Sequence, residues 1–113
     1  MRDLRGVQRT VDLAVTFAVD SAKIDAPSRK KLMKLAADVR ANTGIRQILL
    51  SGRADGTGAT DYNMKLSGLR ARTVYEFLRD AGVDSELMQV VALGEMASGD
   101  SPVHRSVEIS LIR

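Results

Sequence analysis

Ile45-Arg-Gln-Ile-Leu-Leu-Ser-Gly-Arg-Ala-Asp-Gly-Thr-Gly-Ala-Thr-Asp-Tyr-Asn-Met-Lys-Leu-Ser-Gly-Leu-Arg-Ala71 changes character twice along its length. From Ile45 to Gly52 it places Ile48, Leu49 and Leu50 in succession, which suits a central strand covered on both sides, although a buried helix segment reads alike. The glycines at 52, 56 and 58 then mark a loop up to Ala59. Thr60 or Asp61 can cap a helix that runs to about Ala81, with Gly82 just past its end. Tyr62, Leu66, Leu69, Thr73, Phe77 and Leu78 are the expected inward stripe of that helix. The stretch is therefore a strand, a glycine loop and an amphipathic helix.

On the N-terminal side, Val11, Leu13, Val15, Phe17 and Val19 alternate with small or polar residues, the period of a strand with one buried face. Asp25-Ala26-Pro27 is a helix start, and Leu32, Leu35, Ala36 and Val39 recur at helical spacing until Asn42-Thr43-Gly44. On the C-terminal side, a turn at Asp84-Ser85-Glu86 leads to a strand from Met88 to Leu93. A polar loop follows from Glu95 to Pro102. In the last strand, Val103 to Ile112, Val107, Ile109 and Leu111 face in, and Ser106, Glu108 and Ser110 face out. The order β-α-β-α-β-β predicts an α+β two-layer sandwich with a mixed sheet and both helices on one face. Strands joined through a helix are expected to pair in parallel, and the final two strands to pair antiparallel across the polar loop. Residues 1–9 read as a linker or tail and 10–113 as one domain.

Composition narrows the chemistry. With 113 residues and 44% hydrophobic content the chain can bury one core. It has no cysteine, which excludes disulfides, thiolate metal sites and thiol nucleophiles. No apolar run is long enough to span a bilayer. The basic run Arg29-Lys30-Lys31 with Lys34 falls within the first helix and reads as a solvated face, though an anionic polymer could lie against it. Nucleic acid is not expected as a partner, because Phe17, Tyr62, Tyr75 and Phe77 are the only aromatics and most fall on core positions. His104 is the single histidine: a serine–histidine–acid site would have to use it at a strand start, with no nucleophile marked nearby, and it reads instead as an exposed strand-end residue, while one His and no Cys cannot build a usual zinc site. No catalytic residue, metal or cofactor is expected. The loop lacks the lysine of a phosphate-binding P-loop, and its glycines need only serve a tight strand-to-helix turn.

A more informative set is Asp55 with Asn63, Ser67 and Arg70, the last three sharing one face of the second helix. Helical side chains lean toward the N-terminus, so Arg70 can reach back toward the loop that carries Asp55. That arrangement fits a structural salt bridge or a site for a ligand with both charges.

The stretch from Ser51 to Ala71 resembles the signature of OmpA-like domains. In that family a strand ends in Gly-His-Thr-Asp, and the helix carries Asn-x-x-Leu-Ser-x-x-Arg-Ala. Asn63, Leu66, Ser67, Arg70 and Ala71 match the helix part, and the spacing from Asp55 to Arg70 matches as well. Val15 to Ile24 resembles the family's first strand and the turn after it. Gly94-Glu95 resembles the Gly-Glu after the third strand, and His104 to Ile109 the closing Asn-Arg-Arg-Val-Glu-Ile. The resemblance implies non-covalent binding of peptidoglycan through the diaminopimelate of its stem peptide, with no bond broken. Asp55 then holds the ammonium and Arg70 the carboxylate. Asn63 orders the loop, Leu66 and Ser67 support the helix, and Arg105 flanks the pocket. The resemblance also implies the periplasm, within a longer exported protein. Arg53 stands where the family has His, Ala54 where it has Thr, and Ser106 where it has a second Arg. Arg53 could pair with Asp55 and compete with the ligand ammonium. These departures leave open a second reading, a protein-interaction or assembly domain, as a homodimer or within an envelope complex, whose wall site is altered or lost.

Overall fold

The computed structural model describes residues 11–54, 60–95 and 105–113, so the expected tail at 1–9 and most of the polar loop after Glu95 lie outside the described residues. Its elements are β1 (Leu13–Thr16), α1 (Ala26–Arg40), β2 (Gln47–Ala54), α2 (Thr60–Asp80), a 3-10 turn (Ser85–Leu87), β3 (Met88–Glu95) and β4 (Ser106–Ile112). The start of α1 follows from its sequence: the Asp25 carboxylate accepts from Ser28 N–H at 2.8 Å, and Pro27 occupies the first turn. Gly82, with φ at +98°, ends α2 in the left-handed region that glycine enters at no steric cost.

The sheet is mixed and has the order β1-β4-β2-β3. β2 and β3, joined through α2, pair in parallel with Ile48 opposite Met88 and Leu50 opposite Val90. The expected β3–β4 hairpin does not form. β4 instead lies between β1 and β2, antiparallel to both, with Val15 opposite Val107 on one side and Leu50 opposite Ile109 on the other. β1 and β2 therefore point the same way without touching. Val107 and Ile109 have no exposure in this central strand, so the last strand is the centre of the core. Ser106 and Ser110, expected to face out, do lie on the face away from the helices. They are nonetheless buried, because β4 is flanked on both sides, with Thr16 opposite Ser106 and Leu49 opposite Ser110.

β1 is also shorter than the alternation suggested. Val15 and Phe17 are buried, but Val11 and Val19 are exposed, so the pattern overran the pairing that β4 provides. In α1, Leu32, Ala36 and Val39 are buried as expected. In α2 the expected stripe is rotated. Leu66 and Leu78 are buried, whereas Tyr62 and Leu69 are exposed, and the inward face contains Asn63, Ser67, Arg70, Ala71 and Val74. The close approach of α2 to β2 causes the rotation. A Cβ on Gly52 would stand 2.0 Å from the Ser67 carbonyl oxygen, so helix backbone rests on strand backbone there. Only small residues fit beside such a contact, and large ones such as Leu69 are turned away.

Two glycines should therefore respond to alanine with opposite signs. Gly52→Ala forces the helix off the sheet and should cost about 2–3 kcal/mol, read as a lower urea midpoint. Gly68→Ala meets only the Ala92 methyl at 3.6 Å, an ordinary contact, and should gain up to about 1 kcal/mol from helix propensity. The cap at α1 should show in the pH dependence. Hydrogen bonds from Ser28 hold the Asp25 carboxyl below its ordinary value of 3.8. Its contribution is thus present above that value and lost as pH falls through the lower folded value. The stability difference between wild type and Asp25→Asn should change in the acid range and stay flat above it.

Candidate functional site

The inward face of α2 presents three polar side chains to the sheet: Asn63, Ser67 and Arg70 are 2%, 0% and 1% exposed. Such groups are tolerated inside only when bonded. The Ser67 hydroxyl donates to the Met64 carbonyl at 2.8 Å, a bond within its own helix. Arg70 reaches further. Its Nε donates to the Ser21 carbonyl at 2.8 Å, its Nη2 to the Ala18 carbonyl at 3.0 Å and its Nη1 to the Arg53 carbonyl at 3.1 Å. The guanidinium also lies 5.5 Å from the centre of the Phe17 ring, within the range of a cation–π contact. One buried cation thus ties the helix to the turn after β1 and to the end of β2.

The turn that supplies two of these acceptors is shaped for the purpose. Ser21 N–H donates to the Ala18 carbonyl at 3.1 Å, closing a four-residue turn. Its third residue, Asp20, has φ at +56°, the left-handed position that a type II turn requires and that aspartate tolerates better than most residues. Asp20 also accepts from the Tyr62 hydroxyl at 3.1 Å. That hydrogen bond raises the Tyr62 pKa, with desolvation and the Asp20 charge adding to it and the Arg70 charge opposing it. Tyr62 is therefore a surface tie between α2 and the turn rather than the core residue its spacing suggested. Neither Asp20 nor the turn carbonyls were apparent as site components in the sequence, because a carbonyl has no residue signature.

Of the residues expected at the site, Asn63, Leu66, Ser67 and Arg70 share the buried face of α2. Asp55 lies outside the described residues, as does His104. The Arg70 guanidinium nevertheless sits against the carbonyl of Arg53, two residues before Asp55 in the chain. Arg105 is at the same end of the sheet. Its Nε donates to the Phe17 carbonyl at 3.1 Å, and Phe17 N–H donates to the Arg105 carbonyl at 2.7 Å. The Arg53 side chain lies on the opposite face of the sheet, where Nη2 pairs with Glu108 at 2.8 Å. Among the described residues, no three His, Cys, Asp or Glu side chains gather as a metal site would need.

The sequence profile of the OmpA family matches residues 16–107. Peptidoglycan-associated lipoproteins of Legionella pneumophila and Pseudomonas putida are both 32% identical to this chain over 79 residues, 70% of it, and those residues make up 44% and 46% of their lengths. The chain thus spans less than half the length of these curated relatives. The crystal structure of the peptidoglycan-associated lipoprotein from Burkholderia pseudomallei superposes with a TM-score of 0.74 at 26% identity, covering 93% of this chain and 89% of that one. The C-terminal domain of Helicobacter pylori MotB is similar in fold, with a TM-score of 0.76 at 22% identity over 88% of this chain and 84% of that one.

The Arg70 grip should dominate local stability. Arg70→Leu removes a donor from three carbonyls, of which Ala18 keeps Ser21 N–H, and should cost roughly 2–5 kcal/mol, about 1–3 kcal/mol for each buried acceptor left unbonded. Arg70→Lys keeps the charge but cannot span three acceptors in the plane of a guanidinium. It should fall between the two in urea unfolding.

Proposed function

The chain belongs to the OmpA family, and from that premise we propose that it binds peptidoglycan non-covalently and anchors a cell-envelope protein to the bacterial wall. The ligand group is the diaminopimelate of the stem peptide, whose one carbon carries both an ammonium and a carboxylate. Asp55 takes the ammonium and Arg70 the carboxylate. The observation that carries this reading is the fixed Arg70 guanidinium at the end of β2, held by the carbonyls of Ala18, Ser21 and Arg53. A guanidinium offers five donors in one plane, and the carboxylate shares it with those carbonyls. Its charge is already immobilised, so binding does not have to order a flexible side chain. Asn63 and Ser67 hold the same helix face. Leu66 seats it, and Arg105 braces the end of β1 beside Phe17. Arg53, engaged by Glu108, leaves Asp55 to the ligand ammonium.

The names of the relatives support the wall as the target, and the periplasm as the compartment follows from it. Among the described residues no helix is long and apolar enough to cross a membrane. Two charged contacts of about 1.5–3 kcal/mol each give a dissociation constant of roughly 40 µM to 6 mM for one domain. Several copies on a dense polymer raise this by avidity.

Sedimentation with purified sacculi tests the assignment. Asp55→Asn removes the ammonium partner and should weaken binding about tenfold or more. Sacculi with lysine in place of diaminopimelate lack the second carboxylate and should retain less wild-type protein. The lysine arm matters because it probes the carboxylate contact without disturbing Arg70, whose replacement also loosens the fold. Equal binding in both arms removes the Asp55–Arg70 clamp from the assignment, and no sacculus binding by wild type means that the fold serves a protein partner instead.

A further inference from the structure

Basic residues are concentrated on one helix. α1 holds Arg29, Lys30, Lys31, Lys34 and Arg40 against Asp38 alone, whereas the whole chain has seventeen basic and fourteen acidic residues for a net charge of +3. Outside α1 the acids slightly outnumber the bases. Arg29 lies over the Phe77 ring at 5.8 Å, and Arg40 donates to the Ala81 carbonyl at 3.0 Å, so both have structural employment. Lys30, Lys31 and Lys34 are exposed and form no ion pair with any described residue.

Folding does not explain these three lysines. Lys30 and Lys34 are four residues apart and Lys31 and Lys34 three apart, spacings at which like charges repel on a helix surface. Lys30 and Lys31 lie in the half of α1 nearer its positive end and Lys34 just past its midpoint, so none has the C-terminal position that favours a cation. The first turn of α1 carries no acid. The Asp25 cap feels the charge of Lys31 only as the smallest of its influences. A local cost with no compensation inside the fold points to a partner outside it.

Topology says where that partner lies. β1 and β2 are both antiparallel to β4, so their C-terminal ends are at the same pole of the sheet. α1 follows β1 and α2 follows β2, so both helices start at that pole. The turn that leads from β1 into α1 is the one whose Ala18 and Ser21 carbonyls hold Arg70. Lys30 and Lys31, in the second turn of α1, are therefore toward the candidate site's end of the helix, with Lys34 about one turn further along.

We propose that Lys30, Lys31 and Lys34 form a second, electrostatic contact to carboxylates of neighbouring stem peptides on the same wall polymer. This inference rests on the wall-binding reading and extends it from one ligand group to a polymer surface. The occupant follows from charge complementarity and the shared pole: a cross-linked peptide network presents carboxylates repeatedly around any one bound diaminopimelate. A weak primary contact gains from such a neighbour through effective concentration and faster encounter. Its range is about 8 Å at physiological salt.

The test uses the 113-residue chain with Lys30→Glu, Lys31→Glu and Lys34→Glu combined, beside the same three positions changed to Arg. All three side chains are exposed, so urea stability serves as the folding control. At low salt the Glu variant should sediment with diaminopimelate-type sacculi about tenfold more weakly than wild type, the loss of three exposed charge contacts. The Arg variant should match wild type, and added salt should bring all three together. Affinity for soluble N-acetylmuramoyl tripeptide containing diaminopimelate should be the same in every variant, because that short ligand occupies the primary site alone. Sacculus binding by wild type with an equal value for the Glu variant overturns this inference and leaves the wall reading standing. No sacculus binding by wild type overturns both. Unchanged sacculus binding with lost retention on phosphatidylglycerol vesicles assigns the lysines to a membrane and overturns the wall-polymer contact.

Discussion

A guanidinium buried to 1% exposure needs acceptors, and Arg70 takes them from two places far apart in the chain, the turn at Ala18 and Ser21 and the end of β2 at Arg53. The desolvation of a cation costs several kcal/mol, so the carbonyls of Ala18, Ser21 and Arg53 have to be presented together and kept in place. That requirement shapes the turn after β1, where Asp20 adopts a left-handed conformation. It also fixes how far the end of β2 stands from α2. The Phe17 ring covers the guanidinium, and Arg105 holds Phe17 through its carbonyl. The pole of the sheet is thus one bonded unit rather than a set of independent loops.

The same unit explains why α2 buries polar residues while leaving Leu69 and Tyr62 outside. If the helix were turned to bury its largest apolar side chains, Arg70 would leave its acceptors. The backbone contact between Gly52 and Ser67 would open as well. The chosen orientation gives up some apolar burial and keeps both. Tyr62, displaced to the surface, uses its hydroxyl to hold Asp20. A stability constraint and a positioned charge coincide at Arg70, which is why the lysine-type polymer is a cleaner probe of function than its mutation.

The position of β4 has a comparable reach. By entering between β1 and β2 it carries Glu108 to Arg53 and Arg105 to Phe17. Arg53, close to Asp55 in the sequence, is thereby paired with Glu108 on the face of the sheet away from the helices. The insertion also aligns the starts of both helices at one pole, the end of the sheet at which Arg70 is held.

Periodicity, caps and glycines were enough to determine the element order, the α1 stripe and the α+β class, because those signals act between residues a few positions apart. The motif from Asn63 to Ala71 likewise marked the face of α2 that carries the site. The strand order, the rotation of α2 and the carbonyl ring around Arg70 were decided only in three dimensions. β4 can pair with any strand whose pattern alternates, and nothing within its own residues prefers β1 and β2 to β3. A main-chain carbonyl has the same chemistry in every residue, so no sequence can announce that Ala18, Ser21 and Arg53 converge on one cation. Their convergence depends on which backbones the sheet brings together, and on the energy of leaving a buried charge unbonded if it does not.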